Sequence, residues 1–252
     1  MHPRHKPRRL GIVAGIVGTM AILGAAPNAF AVTFVDQIER LQEIHAALLD
    51  FRSGAPPGAR RPGAWSIGLD LEPVPSIDYQ VGTKQEPVNP PPLVARARAS
   101  WSVGGGFSLG ALVLPATRVG SYLADTMGAE IDYGVSLGAF RASLRGFTVQ
   151  GTVQGPLSET TTSDTFKFRN QGADARAGWA LNRWIFYAGA GSGFSRTSLD
   201  VASDGSQSAF ASPYGFAFLG LSRDAGSWRF TIEQHQTESY LSHVVITVSH
   251  VY

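Results

Sequence analysis

Residues 242–252 read Ser-His-Val-Val-Ile-Thr-Val-Ser-His-Val-Tyr. In an extended chain successive side chains point to opposite faces. Val244, Ile246, Val248, His250 and Tyr252 therefore share one face, and His243, Val245, Thr247, Ser249 and Val251 share the other. The stretch is a β-strand with one apolar face, and its last residue is an aromatic on that face.

The same period of two runs upstream to Gly63. Trp65, Ile67, Leu69 and Leu71 alternate with Ser66, Gly68, Asp70 and Glu72. Leu93, Ala95, Ala97, Ala99 and Trp101 alternate with Arg96, Arg98, Ser100 and Ser102. After Gly104-Gly105-Gly106, a strand from Phe107 to Val113 is predicted to end at Pro115. Ala129, Ile131, Tyr133, Val135 and Leu137 oppose Glu130, Asp132 and Ser136. Phe140, Ala142 and Leu144 oppose Arg141, Ser143 and Arg145; Phe147 and Val149 then break the parity, which predicts a bulge at Gly146. Ala173, Ala175, Ala177 and Trp179 oppose Asp174 and Arg176, and Trp184, Phe186, Ala188 and Ala190 follow a turn at 181–183. Tyr214, Phe216 and Phe218 mark the apolar parity of the next strand. Trp228, Phe230 and Ile232 oppose Arg229, Thr231 and Glu233 before the closing strand.

This pattern predicts an all-β fold, an antiparallel up-and-down barrel of about ten strands within a range of eight to twelve. Connections near 72–92, 116–127, 155–165 and 196–207 are long and polar, and those near 104, 139, 182 and 225 are short. Alternating long and short connections put both ends of an even-stranded barrel on the short-turn side. The five tryptophans Trp65, Trp101, Trp179, Trp184 and Trp228 all stand on the apolar parity near that side. With Tyr252 they form a candidate membrane-interface girdle, since amphipathic rings favour the lipid–headgroup boundary.

The first residues read differently. Arg4, Lys6, Arg8 and Arg9 precede an apolar run from Leu10 to Ala26, and Ala29-Phe30-Ala31 has small residues at the cleavage spacing. Residues 1–31 are predicted to be a cleaved signal peptide. Residues 32–62 are expected to form a helix and linker, periplasmic if residues 1–31 direct export. Val35, Ile38, Leu41, Ile44, Leu48 and Phe51 recur at helical spacing, and residues 53–63 are rich in Pro and Gly. Two placements of the short amphipathic helix over residues 33–52 are open: against the barrel mouth, or folded into the lumen as a plug. Residues 63–252 are the barrel.

Composition narrows the function classes. The whole chain carries 21 Lys+Arg and 19 Asp+Glu. Residues 1–31 hold four of the bases and no acid, so the remainder carries 17 against 19, a net of −2. The basic balance belongs to the leader, and no nucleic-acid partner is implied. The absence of cysteine excludes a disulfide framework, a lipid-anchored cysteine and thiolate metal sites. His235, His243 and His250 give no ligand spacing on one face, and neither a metal nor another cofactor is implied.

The terminal aromatic strand, the tryptophan placement and the alternating connections resemble those of small bacterial outer-membrane β-barrels, over residues 63–252. The resemblance implies residence in the outer membrane of a Gram-negative cell envelope and contact with its lipid. It also implies recognition of the C-terminal strand by the barrel assembly machinery. The oligomeric state is left open.

By parity the inward face holds Arg96, Arg98, Glu130, Asp132, Arg141, Arg145, Asp174, Arg176, Arg229 and Glu233. These are the candidate lumen-lining residues. Two roles follow from them: an internal ion-pair network that stiffens the barrel, or an arginine-rich narrow pore with a cationic bias. The expected function is a non-enzymatic barrel of structural, adhesive or narrow-pore type. One alternative is an outer-membrane lipid hydrolase, because Glu233, His235, Thr237 and Ser239 share one parity and distantly resemble the acid, histidine and hydroxyl of lipid A deacylases. The other is a secreted soluble β-barrel.

Overall fold

Two-residue reversals join neighbouring strands at one end of the fold, each built on a residue that tolerates positive φ. Asn182, at φ 56°, does this between the strands Asp164–Leu181 and Trp184–Asp200, and Gly226, at φ 66°, between Gln207–Ala225 and Trp228–Thr237. The computed structural model describes residues 55–72, 94–119, 122–157, 162–203, 205–237 and 242–252. The expected signal peptide, the helix at 33–52, most of the loop at 72–92 and the connection at 238–241 lie outside the described residues.

The strands are β1 (Trp65–Glu72), β2 (Val94–Gly104), β3 (Phe107–Val119), β4 (Tyr122–Leu137), β5 (Phe140–Gly155), β6 (Asp164–Leu181), β7 (Trp184–Asp200), β8 (Gln207–Ala225), β9 (Trp228–Thr237) and β10 (Ser242–Val251). Each is antiparallel to its sequence neighbours, and β1 pairs with β10 to close the barrel. The closing strand has the inside and outside read from its sequence. His243, Val245, Thr247 and Ser249 are buried, and Ile246 and Tyr252 are exposed.

Three local expectations are corrected. Pro115 does not end β3: the register shifts between Leu114 and Thr117, and the strand continues to Val119. Proline lacks the N–H a ladder needs and is tolerated at such an irregularity. The connection expected at 116–127 is largely strand, because β3 runs to Val119 and β4 begins at Tyr122, and the one expected at 196–207 is shortened to 201–206, because β7 runs to Asp200. There is no bulge at Gly146, which pairs in unbroken register with Ile131 on one side and Ala173 on the other.

One cause underlies the last two corrections. Crossing a bilayer takes about 9–11 tilted residues. β1, β9 and β10 have 8, 10 and 10 residues, whereas β6, β7 and β8 have 18, 17 and 19. The wall is therefore much taller on the β4–β8 side. In the lower part of β5, Leu144 is 62% exposed and Arg145 is buried. Higher up, Phe147, Val149 and Val153 point inward and are buried, while Thr148, Gln150 and Gln154 point outward. The strand stays regular and its polarity inverts. The same inversion turns Phe166 and Phe168 of β6, and Phe216 and Phe218 of β8, into the barrel. The upper part thus has the polar exterior and apolar interior of a water-soluble barrel, on top of a lower part with the reverse.

Candidate functional site: a charged lumen under an apolar cap

In the lower part the inward side chains form a chain of ion pairs. Arg98 of β2 donates to Asp70 of β1 from Nε at 2.9 Å and from Nη2 at 2.6 Å, and its Nη1 lies 3.5 Å from Glu130 Oε1. Glu130 of β4 also accepts from Arg145 Nη1 at 3.2 Å. Arg145 of β5 donates from Nε to Asp174 Oδ2 at 2.7 Å. Asp174 of β6 lies 3.2 Å from Arg176 Nε, and Arg176 Nη2 donates to Asp132 of β4. Arg96 of β2 forms a separate pair with Glu72 of β1 at 2.5 Å. Thr247 of β10 donates to Asp70 at 2.7 Å. All these ionised groups are buried. Burial is costly for each ion alone and tolerable only because each has partners.

Of the ten candidate lumen residues, eight lie buried inside: Arg96, Arg98, Glu130, Asp132, Arg145, Asp174, Arg176 and Glu233. The other two belong to the turn rim. Arg141 donates to the carbonyls of Gly138 and Phe140, and Arg229 pairs with Asp224 at 2.6 Å. Asp70 and Glu72 carry the same alternation in β1 and complete the set.

A second cluster occupies the wall where β9 and β10 meet. His235 and His243 are directly paired across the two strands, and their rings stack at 5.4 Å. His235 Nε2 lies 2.8 Å from Glu233 Oε2, and Tyr187 of β7 donates to Glu233 Oε1 at 2.5 Å. His243 Nε2 is 3.6 Å from Glu72 Oε1. The sequence spacing of these histidines is uninformative because pairing across the hairpin brings them together. No group of three or more His, Cys, Asp or Glu suited to a metal occurs among the described residues. Glu233, His235 and Thr237 all face the interior, and Ser239 lies outside the described residues.

The entry segment lies in the lower mouth. Pro56, Pro57 and Gly58 are buried. Arg176 Nη1 donates to the Ala55 carbonyl at 2.9 Å, Ala59 N to Ser136 Oγ at 3.1 Å, and Arg60 Nη1 to Ser100 Oγ at 2.8 Å. Leaving water lowers the Arg60 guanidinium from its usual value, and the Glu130 and Asp132 carboxylates oppose that shift. With Arg60, five guanidiniums meet the six carboxylates of Asp70, Glu72, Glu130, Asp132, Asp174 and Glu233. The cationic excess suggested by six arginines among ten candidates is absent from these buried and half-buried groups.

The upper mouth is filled differently. Leu112, Phe147, Val149, Val153, Leu157, Phe166, Phe168, Tyr187, Leu199, Val201, Phe216 and Phe218 form one apolar cluster. Arg145 joins it to the charged layer, with its guanidinium 4.8 Å from the centre of the Phe147 ring. The glycines of β7 make room for it. Gly189, Gly191 and Gly193 pair with Phe218, Phe216 and Tyr214, and a Cβ at Gly189 or Gly191 would strike the facing ring.

Outside, Ile67, Leu69, Leu109, Val113, Ile131, Leu144, Leu219, Phe230 and Ile232 are exposed. Trp65, Trp101, Trp179, Trp184, Trp228 and Tyr252 are exposed as well, all at the short-turn end. The Trp65 and Tyr252 rings stack at 3.9 Å, and Tyr252 N donates to the Trp65 carbonyl at 2.8 Å.

No protein-family model and no curated protein matches the chain. Solved structures of similar fold include Ail, the attachment invasion locus protein of Yersinia pestis. It is 8% identical, with a TM-score of 0.30, and the match covers 76% of this chain and 100% of that one. The translocator domain of the autotransporter NalP from Neisseria meningitidis is 9% identical, with a TM-score of 0.39 over 86% and 94% of the two chains. The outer-membrane protease OmpT from Escherichia coli is 6% identical, with a TM-score of 0.39 over 75% and 91%. A closed barrel with exposed apolar residues around its lower wall and ionised groups inside is built to face lipid, because closure leaves no unpaired edge. The chain has the architecture of a bacterial outer-membrane β-barrel.

Proposed function

We propose that this protein is a structural outer-membrane barrel that does not conduct, with its lumen closed by its own side chains. The observation that carries the reading is the unbroken ion-pair chain from Asp70 through Arg98, Glu130, Arg145, Asp174 and Arg176 to Asp132, which fills the lumen side of the wall from β1 to β6. The entry segment below it and the aromatic cluster above it support the same reading. A solute passing through would have to separate buried charges, each left uncompensated at a cost of several kcal/mol.

In this reading the tall β4–β8 wall is a platform that stands clear of the membrane. The tryptophans and Tyr252 anchor the barrel at the periplasmic interface, and the β10 strand ending in Tyr252 is the segment the assembly machinery engages. The inward direction of Glu233, His235 and Thr237 favours this role over lipid hydrolysis, since acyl chains lie outside the wall. Recording from planar bilayers containing the purified chain tests the proposal. No stepwise current is expected, and reproducible unitary currents would overturn it.

A further inference from the structure

We propose that the outward faces of β6 and β7 form a binding site for the phosphate groups of a glycolipid headgroup in the outer leaflet. The proposal rests on the outer-membrane placement above. Arg169 of β6 and Arg196 of β7 are direct cross-strand partners, and both are exposed. Like charges so placed repel. Among the described residues neither arginine has an acidic partner. A cleft of about 170 Å³ is lined by Arg169, Gln171, Phe194 and Arg196. Lys167 and Ser198 help to line an adjoining one of about 270 Å³. The Arg196 guanidinium lies over the Phe194 ring at 5.6 Å, which limits its freedom. Asp200 of β7 is already engaged by Lys167 at 3.3 Å and Gln207 at 2.7 Å.

The height of the cleft identifies its occupant. Trp179 lies at the short-turn end of β6, ten positions from Arg169. At about 3.4 Å per residue and a tilt near 40°, that separation is about 26 Å along the barrel axis. An outer-membrane barrel has an apolar band about 25 Å tall, so the arginines stand at the opposite headgroup level. Below them Ala173, Ala175, Ala188 and Ala190 leave a smooth strip on which acyl chains can lie. Two guanidinium forks and two amide or hydroxyl donors suit a phosphate monoester, which accepts paired hydrogen bonds from arginine.

The test uses the full chain in phosphatidylcholine nanodiscs doped with either bisphosphorylated lipid A or the same lipid after phosphatase treatment. Retained lipid is read by native mass spectrometry. Flotation with the discs and heat-modifiable gel mobility are checked first on the same sample, for the parent and for an R169Q/R196Q variant. The parent is expected to retain lipid A. The variant, or the removal of the phosphates, is expected to reduce retention on the order of tenfold or more. Equal retention by the variant, or of the dephosphorylated lipid, would overturn the site. Displacement by millimolar inorganic phosphate would show a free-anion site and overturn the lipid assignment. A chain that fails to float overturns the membrane placement, and the site with it.

Discussion

Arg145 and Asp174 are direct partners across β5 and β6, and Arg145 Nε donates to Asp174 Oδ2 at 2.7 Å inside the closed barrel. The same guanidinium also serves Glu130. Arg145→Ala therefore leaves two buried carboxylates short of a partner, at an expected cost of about 3–5 kcal/mol. The temperature at which the folded gel band is lost should fall clearly below that of the parent. Asp174→Asn keeps an acceptor for Arg145 and should lower it less. Equal melting of Arg145→Ala and the parent would refute the network's stabilising role.

The inversion of polarity along β5 locates the lipid boundary between Leu144 and Gln150. An arginine on the lipid face costs about 2–4 kcal/mol at the midplane and about 0–1 kcal/mol near an interface. Leu144→Arg should thus destabilise the barrel strongly and Gln150→Arg hardly at all. Urea unfolding in lipid vesicles measures the difference. Similar costs at both positions would mean that the strand does not leave the lipid where its polarity inverts.

The apolar cap depends on the missing side chains of β7. Gly191 faces the Phe216 ring closely enough that a Cβ would collide with it. Gly191→Val should cost about 1–3 kcal/mol through overpacking. Adding Phe216→Leu should recover only part of that loss, because it removes the ring 2.6 Å from the added Cβ and leaves the Ala173 carbonyl, which is closer still. Without such recovery in the unfolding midpoint, the ring contact would not be the cause.

Tyr252 closes the ring through its backbone bond to Trp65 and through the stacked rings. An aromatic pair of this kind contributes about 0.5–1.5 kcal/mol beyond its burial. Tyr252→Ala should lower the yield of folded barrel in membranes more than that energy alone explains, if the terminal aromatic is also read during assembly. Tyr252→Phe should restore the yield. The amount of heat-modifiable protein in the membrane fraction is the readout.

Arg176 links the charged layer to the entry segment through the Ala55 carbonyl. Combining Arg145→Ala with Arg176→Ala removes both central cations and the latch on that segment. Planar-bilayer recordings should show intermittent small currents from the double variant and none from the parent. A silent double variant that still runs as a folded barrel would assign closure to the aromatic cluster alone.

Strand number, turn positions and the lower-wall alternation were legible in the sequence because lipid outside and ionised groups inside give the two faces strong contrast. Asp70, Arg98, Asp132 and Asp174 all stand out against their neighbours for that reason. In the upper wall the contrast reverses, and the alternation points the wrong way there. Phe147 and Val149 look like a slip in register when they mark a change of surroundings. Pro115 looks like a strand end, yet one missing donor is absorbed by a local shift. Tyr187, His235 and His243 could not be grouped in advance, because their contacts are made between strands that are distant or folded back on each other.

Local alternation along each strand is a one-dimensional property, so residues 63–252 carry an all-β barrel and its lipid-facing parity in their order alone. The aromatic at Tyr252 and the tryptophans near the short turns add which end meets the interface. Which acid serves which arginine depends on the barrel's register and curvature. Closure brings β1 against β10 and Thr247 against Asp70, while the pairing of β2 through β5 sets Glu130 between Arg98 and Arg145. The height at which Arg169 and Arg196 meet is likewise a product of pairing and tilt. Those distances exist only once the ring is shut, which is why the closed lumen and the outward basic cleft belong to the tertiary structure.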